Sequence, residues 1–289
     1  MKALITGGGG QLGRDLEARL GEDARAFTHA ELDITDPAQV DSAFEEVSPD
    51  VVFNCAAFHN VEVCETEPDS AWAANVRAVR ELANRGAKLV HVSTNYVFDG
   101  SGEAPYGEHD LPNPRSIYAL TKLSGEYAAL AYGEGALVAR TAGLYGVHGS
   151  ASKGGNFVQR MIGRAREQGE LKMVADQRLQ PTYTADLADA LIEAVEKDAS
   201  GVVHLTNGGD CSWYEFTEAI MDRAGIEVPI ESVETTIPPG AADRPLNGVL
   251  DRPRADSLGL EPLRPWDEAL TDYMEVAELA ATDDQGRNQ

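Results

Sequence analysis

The chain has 289 residues and a hydrophobic fraction of 43%, which suits a globular protein with one large core or two smaller ones. Its 48 acidic residues outnumber 24 Lys and Arg, and the net charge of −24 disfavours binding to nucleic acid or to an anionic membrane. The N-terminus lacks the pattern of a secretory signal, and no apolar run approaches the roughly 18 residues that span a bilayer, so we expect a cytoplasmic protein.

Cysteine and histidine spacing gives little support to a disulfide framework or a metal site. Cys55, Cys64 and Cys211 form no C-x-x-C pair, and no two histidines are spaced i, i+4. We therefore expect reduced thiols and no bound metal. The acidic residues are spread along the whole chain. Simple solubility is one explanation, but we favour a halophilic protein, since concentrated salt screens the self-repulsion of such a chain.

Short apolar runs alternate with amphipathic segments through the first half of the chain. Buried strands are predicted at 2–7, 24–28, 51–57, 88–94 and 136–140, with helices at 11–20, 37–47, 66–85 and 116–132. Strands and helices in this alternation, joined by right-handed crossovers, predict an α/β fold with a Rossmann-type doubly wound parallel sheet.

The second half is less regular and predicts a smaller, partly interleaved C-terminal substrate domain. Strands are predicted at 171–176 and 201–206, helices at about 184–197, 212–225 and 266–279, and a loop at 237–253. The expected division gives 1–142 and about 171–206 to a dinucleotide-binding domain. It gives about 143–170 and 207–280 to a substrate-binding region, and 281–289 to a flexible tail.

A glycine-rich turn follows the first predicted strand. The stretch ITGGGGQLG places Gly7, Gly10 and Gly13 between that strand and the start of a helix. Glycines here permit a tight turn, bring backbone N–H groups to a pyrophosphate and let the helix pack closely on the sheet. A purely structural turn is the alternative. The position at the first strand–helix junction favours dinucleotide binding.

The end of the second predicted strand bears on the choice of coenzyme. An acidic residue there commonly binds the ribose 2′-OH of NAD. This strand instead ends at Thr28 and His29, and Arg14 follows the glycines, so we favour NADPH over NADH. Asp33 is predicted to border the adenine or, as an equal alternative, to cap the helix that begins at Pro37.

Tyr118 and Lys122 form the only Tyr-x-x-x-Lys pattern among the nine tyrosines. At i, i+4 the two side chains lie on one helix face, and a neighbouring ammonium lowers the pKa of a phenol from about 10. A pKa nearer the working pH makes a better acid catalyst. An exposed pair on an amphipathic helix is the alternative. Ser93 and Thr94 favour catalysis, because they end the fourth predicted strand, where ligands bind in open α/β sheets.

Seven further motifs follow one another along the chain: GGGGQLG, LDITD, STNYVFDG, PYGEHDLPNPRSIYALTKLSGE, GNFVQRMIGRA, DQRLQPTYTADLADAL and RPLNGVLD. In this order, over nearly the whole chain, they resemble the dTDP-4-dehydrorhamnose reductases of the extended short-chain dehydrogenase/reductase superfamily. The resemblance implies NAD(P)H-dependent reduction of the C4 ketone of a nucleotide-linked 6-deoxysugar, in deoxysugar and glycan biosynthesis. It also implies a triad in which Thr94 orients the ketone oxygen, Tyr118 delivers a proton, and Lys122 tunes Tyr118 and binds the nicotinamide ribose.

The matched motifs and the residues argued above together give the expected binding residues. For the cofactor these are Gly7, Gly10, Gln11, Leu12, Gly13, Arg14, Asp33, Ile34, Ala56, Ala57, Ser93, Tyr118 and Lys122. For the substrate they are Asn95, Asn156, Gln177 and Thr182. Local hydrogen bonding without a ligand is an equal alternative for Asn156, Gln177 and Thr182.

Two positions depart from the family pattern. Asn95 stands where the family usually has Asp after the active-site Thr, and Gly143 replaces the Trp of RTSW-x-YG. That Trp is placed to stack on the nucleotide base, and such stacking is worth about 1–3 kcal/mol on single-strand platforms. The resemblance therefore leaves the nucleotide and the sugar open.

Two other functions compete with the reductase. An epimerase or dehydratase of the same superfamily also uses Tyr-x-x-x-Lys, although dehydratases typically need extra acids beside the Thr, where this chain has Asn95. A non-catalytic dinucleotide-binding subunit, like the regulatory β subunit of methionine adenosyltransferase, is the second alternative. The complete triad favours an enzyme. The sequence does not determine the oligomeric state, and a homodimer is the assembly to test.

Overall fold

The structure, a computed structural model, describes residues 1–148, 155–238 and 240–280. The strands, in chain order, are β1 (Ala3–Thr6), β2 (Ala24–Phe27), β3 (Val51–Asn54), β4 (Lys88–Thr94), β5 (Leu137–Thr141), β6 (Leu144–Tyr145), β7 (Leu171–Val174), β8 (Arg178–Leu179), β9 (Thr182–Tyr183), β10 (Gly201–His204), β11 (Cys211–Ser212) and β12 (Ile230–Val233). The helices are α1 (Gln11–Leu20), α2 (Pro37–Val47), α3 (Val61–Thr66), α4 (Pro68–Trp72), α5 (Ala78–Ala83), α6 (Ile117–Tyr132), α7 (Phe157–Gln168), α8 (Thr184–Glu196), α9 (Trp213–Ala224), α10 (Pro253–Ser257) and α11 (Trp266–Val276).

Six parallel strands form the central sheet in the order β10-β5-β4-β3-β1-β2. Side chains alternate between the two faces, so Ala3 and Ile5 of β1 pack with α1 and α8, whereas Leu4 packs with α2 and α5. Helices cover both faces, which explains why the strands are mostly apolar. The predicted doubly wound Rossmann-type sheet is confirmed.

The helix predicted at 66–85 is wrong as a single element. The chain forms α3, α4, a π-helical turn (Ala73–Arg77) and α5 in succession. Pro68 lacks an N–H and occupies the first turn of α4, so α3 ends before it. The π-helical turn packs on α6, where a Cβ at Gly125 would lie 2.2 Å from the carbonyl oxygen of Asn75.

A third hydrophobic cluster, built from α7, α9 and α11, lies apart from the two clusters of the main sheet. The strand predicted at 171–176 forms as β7, but it pairs with β12 in a separate two-stranded sheet. The expectation that the dinucleotide-binding domain resumes near 171 is therefore wrong for β7, since alternating hydrophobicity predicts a strand without naming its partner. The predicted tail, 281–289, lies outside the described residues.

The segment predicted as a loop at 237–253 contacts, through residues 246–250, the end of β4 and the connection that follows it. Its residues Leu250 and Asn247 form isolated β-bridges with Tyr106 and Arg178, respectively, and α10 begins at its last residue. Asn247 also donates hydrogen bonds to the carbonyl oxygens of Gly102 and Ala104, at 2.8 and 3.0 Å. These contacts hold the long connection between β4 and α6 in place. Among the described helices, none has the length and apolar character needed to cross a membrane.

Candidate active site

The glycine turn is shaped by two backbone contacts that a side chain would block. Gly7 has φ +69°, and a Cβ on it would lie 2.8 Å from the backbone nitrogen of Ala56. A Cβ on Gly13 would lie 2.6 Å from the carbonyl oxygen of Gly7. Helix α1 begins after Gly10 without a side-chain cap or an acid in its first turn, which leaves its N–H groups open to an anion. The Gln11 Oε1 atom is buried and has no hydrogen-bond partner among the described residues. This cradle fits a dinucleotide.

The adenosine end of the turn contains a carboxylate that the sequence interpretation missed. Glu31 accepts hydrogen bonds from the Thr28 N–H (2.9 Å) and hydroxyl (2.7 Å), and it pairs with Arg25 at 3.0 Å. These contacts, the Thr28 N–H first, lower the pKa of Glu31 to about 2. The signal was present as a Thr-x-x-Glu spacing. Arg14 is exposed, as a residue that binds a 2′-phosphate must be.

The predicted acidic residue, Asp33, has a local role. Asp33 accepts hydrogen bonds from the Thr35 N–H (2.9 Å) and hydroxyl (2.8 Å). The cap of α2 is Asp36, which accepts from the Ala38 N–H at 2.9 Å, so the alternative of Asp33 as the helix cap is wrong. Ile34 and Leu12 are buried in the two hydrophobic clusters of the sheet, whereas Ala56 and Ala57 follow β3 half-buried beside the glycine turn.

Thr94 and Tyr118 meet at the carboxyl end of β4. Thr94 ends that strand and caps the next turn by accepting a hydrogen bond from the Tyr96 N–H at 3.2 Å. Ser116 caps α6, which places Tyr118 in its first turn. The Thr94 side chain interacts with the Tyr118 hydroxyl and acts to lower its pKa, and the Tyr118 ring packs edge-on against Tyr96 at 5.8 Å between centroids. The sequence prediction that these two positions converge is thus matched by the geometry.

Lys122 lies one turn further along α6 and is only 3% exposed. Its Nζ donates to the Val92 carbonyl oxygen at 2.7 Å and lies 3.4 Å from His91 Nε2. Burial lowers the pKa of Lys122 to about 8, while Glu126 and Cys55 act in the opposite direction.

The pKa of Tyr118 moves in the direction opposite to that expected. Burial raises it above the ordinary value of a phenol, and the hydrogen bond with Thr94 only partly offsets this effect. The expectation that Lys122 lowers this pKa considered spacing alone, whereas desolvation of the ring dominates. The phenol is protonated near neutral pH at its ordinary pKa and remains so here, which is the state an acid catalyst needs, but the raised pKa makes it a weaker acid.

Ser93 faces the interior of the sheet. Its hydroxyl donates to Glu126 Oε1 at 2.5 Å, and the same carboxylate forms a bidentate pair with Arg140, with Nη2–Oε2 at 2.7 Å and Nε–Oε1 at 2.9 Å. Both members of this ion pair are buried. The structure therefore places Ser93 on an internal ion pair beside Lys122, a role that the sequence did not indicate.

The four residues predicted to contact substrate are buried and hydrogen-bonded within the chain. Their bonds are Asn95 Nδ2 to Gly248 O (2.9 Å), Asn156 Nδ2 to Gly146 O and to the Tyr273 hydroxyl (2.7 Å each), Gln177 Nε2 to Thr235 Oγ1 (2.9 Å), and Thr182 Oγ1 to Gln180 O (3.1 Å). These contacts support the local hydrogen-bonding alternative that was kept for Asn156, Gln177 and Thr182.

A separate cavity of about 550 Å³ lies between α7 and β7, and Arg160, Arg164 and Lys172 contribute to its lining. No member of the triad lines it, so it does not mark the catalytic cleft. Within the described ranges, no group of three or more His, Cys, Asp or Glu side chains is arranged to hold a metal ion.

Comparison with known proteins places the chain in a family. Residues 1–279 match the family model described as the RmlD substrate binding domain. The chain is 40% identical to the spore coat polysaccharide biosynthesis protein SpsK of Bacillus subtilis, over 95% of this chain and 97% of that protein. It is also 40% identical to a dTDP-4-dehydrorhamnose reductase of Streptomyces griseus, over 93% of this chain and 91% of that protein.

A solved structure gives the same result. The dTDP-4-dehydrorhamnose reductase of Bacillus anthracis, crystallised in complex with NADP, superimposes with a TM-score of 0.90 at 34% identity, over 96% of this chain and 100% of that one. The resemblance inferred from the seven motifs is confirmed. The chain belongs to the dTDP-4-dehydrorhamnose reductase family of oxidoreductases.

Proposed function

We propose that this protein reduces the C4 ketone of a nucleotide-linked 4-keto-6-deoxysugar, using a nicotinamide coenzyme, in deoxysugar and glycan biosynthesis. One observation carries the proposal: the Tyr118 phenol interacts with the Thr94 side chain at the ligand-binding end of the sheet, and the Lys122 amine is buried one turn away. The glycine turn supports coenzyme binding, because its open helix N-terminus can hold a pyrophosphate through Gly7, Gly10 and Gly13.

The protein's own residues supply binding and proton transfer. When bound, the coenzyme provides the hydride that C4 accepts. Tyr118, protonated near neutral pH, donates its phenolic proton to the ketone oxygen, and Thr94 orients that oxygen through the hydroxyl that also contacts Tyr118. Lys122 binds the nicotinamide ribose and carries a positive charge that stabilises the phenolate left after proton transfer.

The test of this function is turnover with defined sugar nucleotides. Purified protein is incubated with NADPH or NADH and with dTDP- or UDP-linked 4-keto-6-deoxyhexoses. We expect stoichiometric coenzyme oxidation and a new C4 hydroxyl group. An epimerase or dehydratase would retain NAD on purification and show no net oxidation. A regulatory subunit would bind coenzyme without turnover, and either result would remove the proposal.

We extend the proposal to a preference for NADPH over NADH. Arg14 is exposed beside the glycine turn, and the Glu31 carboxylate is already engaged by Thr28 and Arg25. Arg14→Ala is expected to raise KM for NADPH about tenfold, since a hydrogen bond to a charged group is worth about 1.5 kcal/mol or more, and to leave KM for NADH unchanged.

The matched control for this experiment is Arg19→Ala on the same helix. Arg19 is engaged by Asp189 of α8, so its loss should change neither constant. Equal changes in both KM values for Arg14→Ala would contradict the assignment of Arg14 to the 2′-phosphate.

The surroundings of Gly143 favour a nucleotide site that lacks the base-stacking Trp of the family. Gly143 has φ +56°, and a Cβ there would lie 2.8 Å from Leu179 Cδ1 and 3.1 Å from Pro181 Cα. We therefore expect Gly143→Ala to reduce the free energy of unfolding by about 1–3 kcal/mol, measured by urea denaturation. Gly143→Trp should destabilise the protein further rather than restore base stacking.

Gly86→Ala separates backbone strain from steric contact. Gly86 has φ +81°, but nothing lies within 4 Å of a Cβ built on it. The loss at Gly143 should therefore exceed the loss at Gly86. Equal losses would mean that only the left-handed backbone matters, and that neighbouring residues leave room for a side chain at 143.

We also propose that the acidic composition is an adaptation to concentrated salt. A net charge of −24 destabilises a compact chain by self-repulsion, and the Debye length falls from about 10 Å at 0.1 M to about 3 Å at 1 M salt. The Tm is therefore expected to rise steadily with KCl across this range, with unfolding on dialysis to low salt. A Tm that is independent of KCl would leave simple solubility as the explanation.

A further inference from the structure

Three buried polar side chains form a row across the central sheet. Thr6, Asn54 and His91 are in-register neighbours on β1, β3 and β4, and none is more than 1% exposed. The Thr6 hydroxyl donates to Asn54 Oδ1 at 2.6 Å, and Asn54 Nδ2 lies 3.0 Å from His91 Nδ1. Polar groups this deeply buried between apolar faces are costly unless they are paired, so the row needs an explanation.

The row extends from the glycine turn at one end to Lys122 at the other. At one end, the Thr6 hydroxyl accepts a hydrogen bond from the Ala56 N–H at 3.2 Å, and this is the backbone nitrogen against which Gly7 packs. At the other end, His91 Nε2 lies 3.4 Å from Lys122 Nζ. A continuous chain of hydrogen-bonding groups therefore runs from the glycine turn to Lys122.

The imidazole can face Lys122 as either a donor or an acceptor. With Asn54 oriented to donate, His91 Nδ1 accepts and its ring proton lies on Nε2, which suits a neutral Lys122 amine. With the amide reversed, Nδ1–H donates to the Asn54 oxygen, and Nε2 is free to accept from the Lys122 ammonium. The orientation of the row is therefore linked to the charge on Lys122.

We propose that His91 is a positioning residue that fixes the Lys122 amine between its own Nε2 and the Val92 carbonyl oxygen, with Thr6 and Asn54 holding the imidazole for this task. The inference rests on the reductase function proposed above. It differs from the catalytic triad, because His91 acts through Lys122 and not on the substrate.

The surroundings of both side chains fit this role. Burial, with the Lys122 charge, holds the pKa of His91 well below its ordinary value, so the imidazole is neutral, and with the Asn54 amide reversed its Nε2 is the acceptor that faces Lys122. The other titratable groups that influence Lys122 are Glu126 on its own helix and Cys55 after β3. A Cβ at Gly125 would lie 3.3 Å from His91 Nε2, so this glycine lets α6 approach β4 closely enough for the contact.

The direct test measures the titration of Lys122. The chain has only six lysines, so ¹³C-lysine NMR resolves them, and Lys122→Met assigns the signal. The pKa of Lys122 is lowered to about 8 in the wild type. His91→Leu should move the midpoint about one pH unit lower, because the ammonium loses an acceptor. In His91→Gln, which keeps a polar end group, the Lys122 midpoint should lie between those of His91→Leu and the wild type.

His204→Leu is the matched control, because His204 is also buried in the central sheet but contacts the Asp251 carbonyl oxygen rather than Lys122. It should leave the Lys122 midpoint unchanged. If His91→Leu fails to fold, Asn54→Leu provides the second test, since it removes the support of the imidazole and should produce a smaller shift in the same direction. An unmoved midpoint in Asn54→Leu, or in a folded His91→Leu variant, would overturn the proposal, as would an equal shift in His204→Leu.

Kinetics supply the functional readout. The alkaline limb of the kcat profile should move to lower pH in His91→Leu by the same amount as the NMR midpoint, with KM for the sugar nucleotide little changed. Superimposable profiles would overturn the link to catalysis. Absence of turnover in the wild type would remove the reductase function while leaving the NMR result on Lys122 intact, so the two failures are distinguishable.

Discussion

Replacing Tyr118 with phenylalanine is expected to lower kcat for ketone reduction by about 10²- to 10⁴-fold, the range that a positioned general acid contributes. The substitution removes only the hydroxyl that interacts with the Thr94 side chain. The ring and its edge-on contact with Tyr96 remain, so the cost in free energy of unfolding should be about 1 kcal/mol, the value of one hydrogen bond. Coenzyme oxidation in single turnovers measures the chemical step directly.

Tyr96→Phe is the control for this substitution. Tyr96 is the adjacent ring, and burial raises the pKa of its hydroxyl as well, yet that hydroxyl has no place in the proposed proton transfer. Its removal should change kcat by less than about threefold if general acid catalysis is confined to Tyr118. A Tyr118→Phe enzyme that keeps more than about a tenth of wild-type kcat would mean that another group delivers the proton.

Much of the fold was predictable from the sequence because the central sheet is buried on both faces. Each of its strands contains a short apolar run, and the helices between them have clear periodicity, so position and type follow from local pattern. The failures have one cause in common. The partner of β7 and the interruption at Pro68 depend on tertiary contacts and on competition between neighbouring signals, which periodicity does not contain.

The same distinction between local sequence pattern and tertiary contact applies to the site. Gly7, Gly13, Tyr118 and Lys122 are predicted as site residues from local spacing alone. The row of Thr6, Asn54 and His91 could not be found, because its members are adjacent only through strand register and lie 48 and 37 residues apart. The direction of the Tyr118 pKa shift depends on burial, which spacing does not report.

Breaking the buried ion pair behind the triad should have the largest effect on stability. Glu126→Ala leaves the Arg140 guanidinium unpaired in a site where the two side chains are 1% and 4% exposed. Removing one partner of a buried pair typically costs about 3–5 kcal/mol, because the remaining charge is desolvated without compensation. The Ser93 hydroxyl, which donates to this carboxylate, also loses its acceptor. Urea denaturation measures the loss.

Two further variants show whether the unpaired charge is the cause. The surface pair Lys172–Glu231 has a similar separation, 2.8 Å, but its side chains are 63% and 58% exposed, so Glu231→Ala should cost less than about 1 kcal/mol. The double variant Glu126→Leu with Arg140→Met removes both charges and should recover most of the stability lost in Glu126→Ala, because apolar pairs often replace buried ion pairs without loss. A double variant no more stable than Glu126→Ala would show that packing around these side chains, rather than the uncompensated charge, determines the loss. In that case the Arg140 and Glu126 side chains would stabilise the region around Lys122 through their packing and not through their charges.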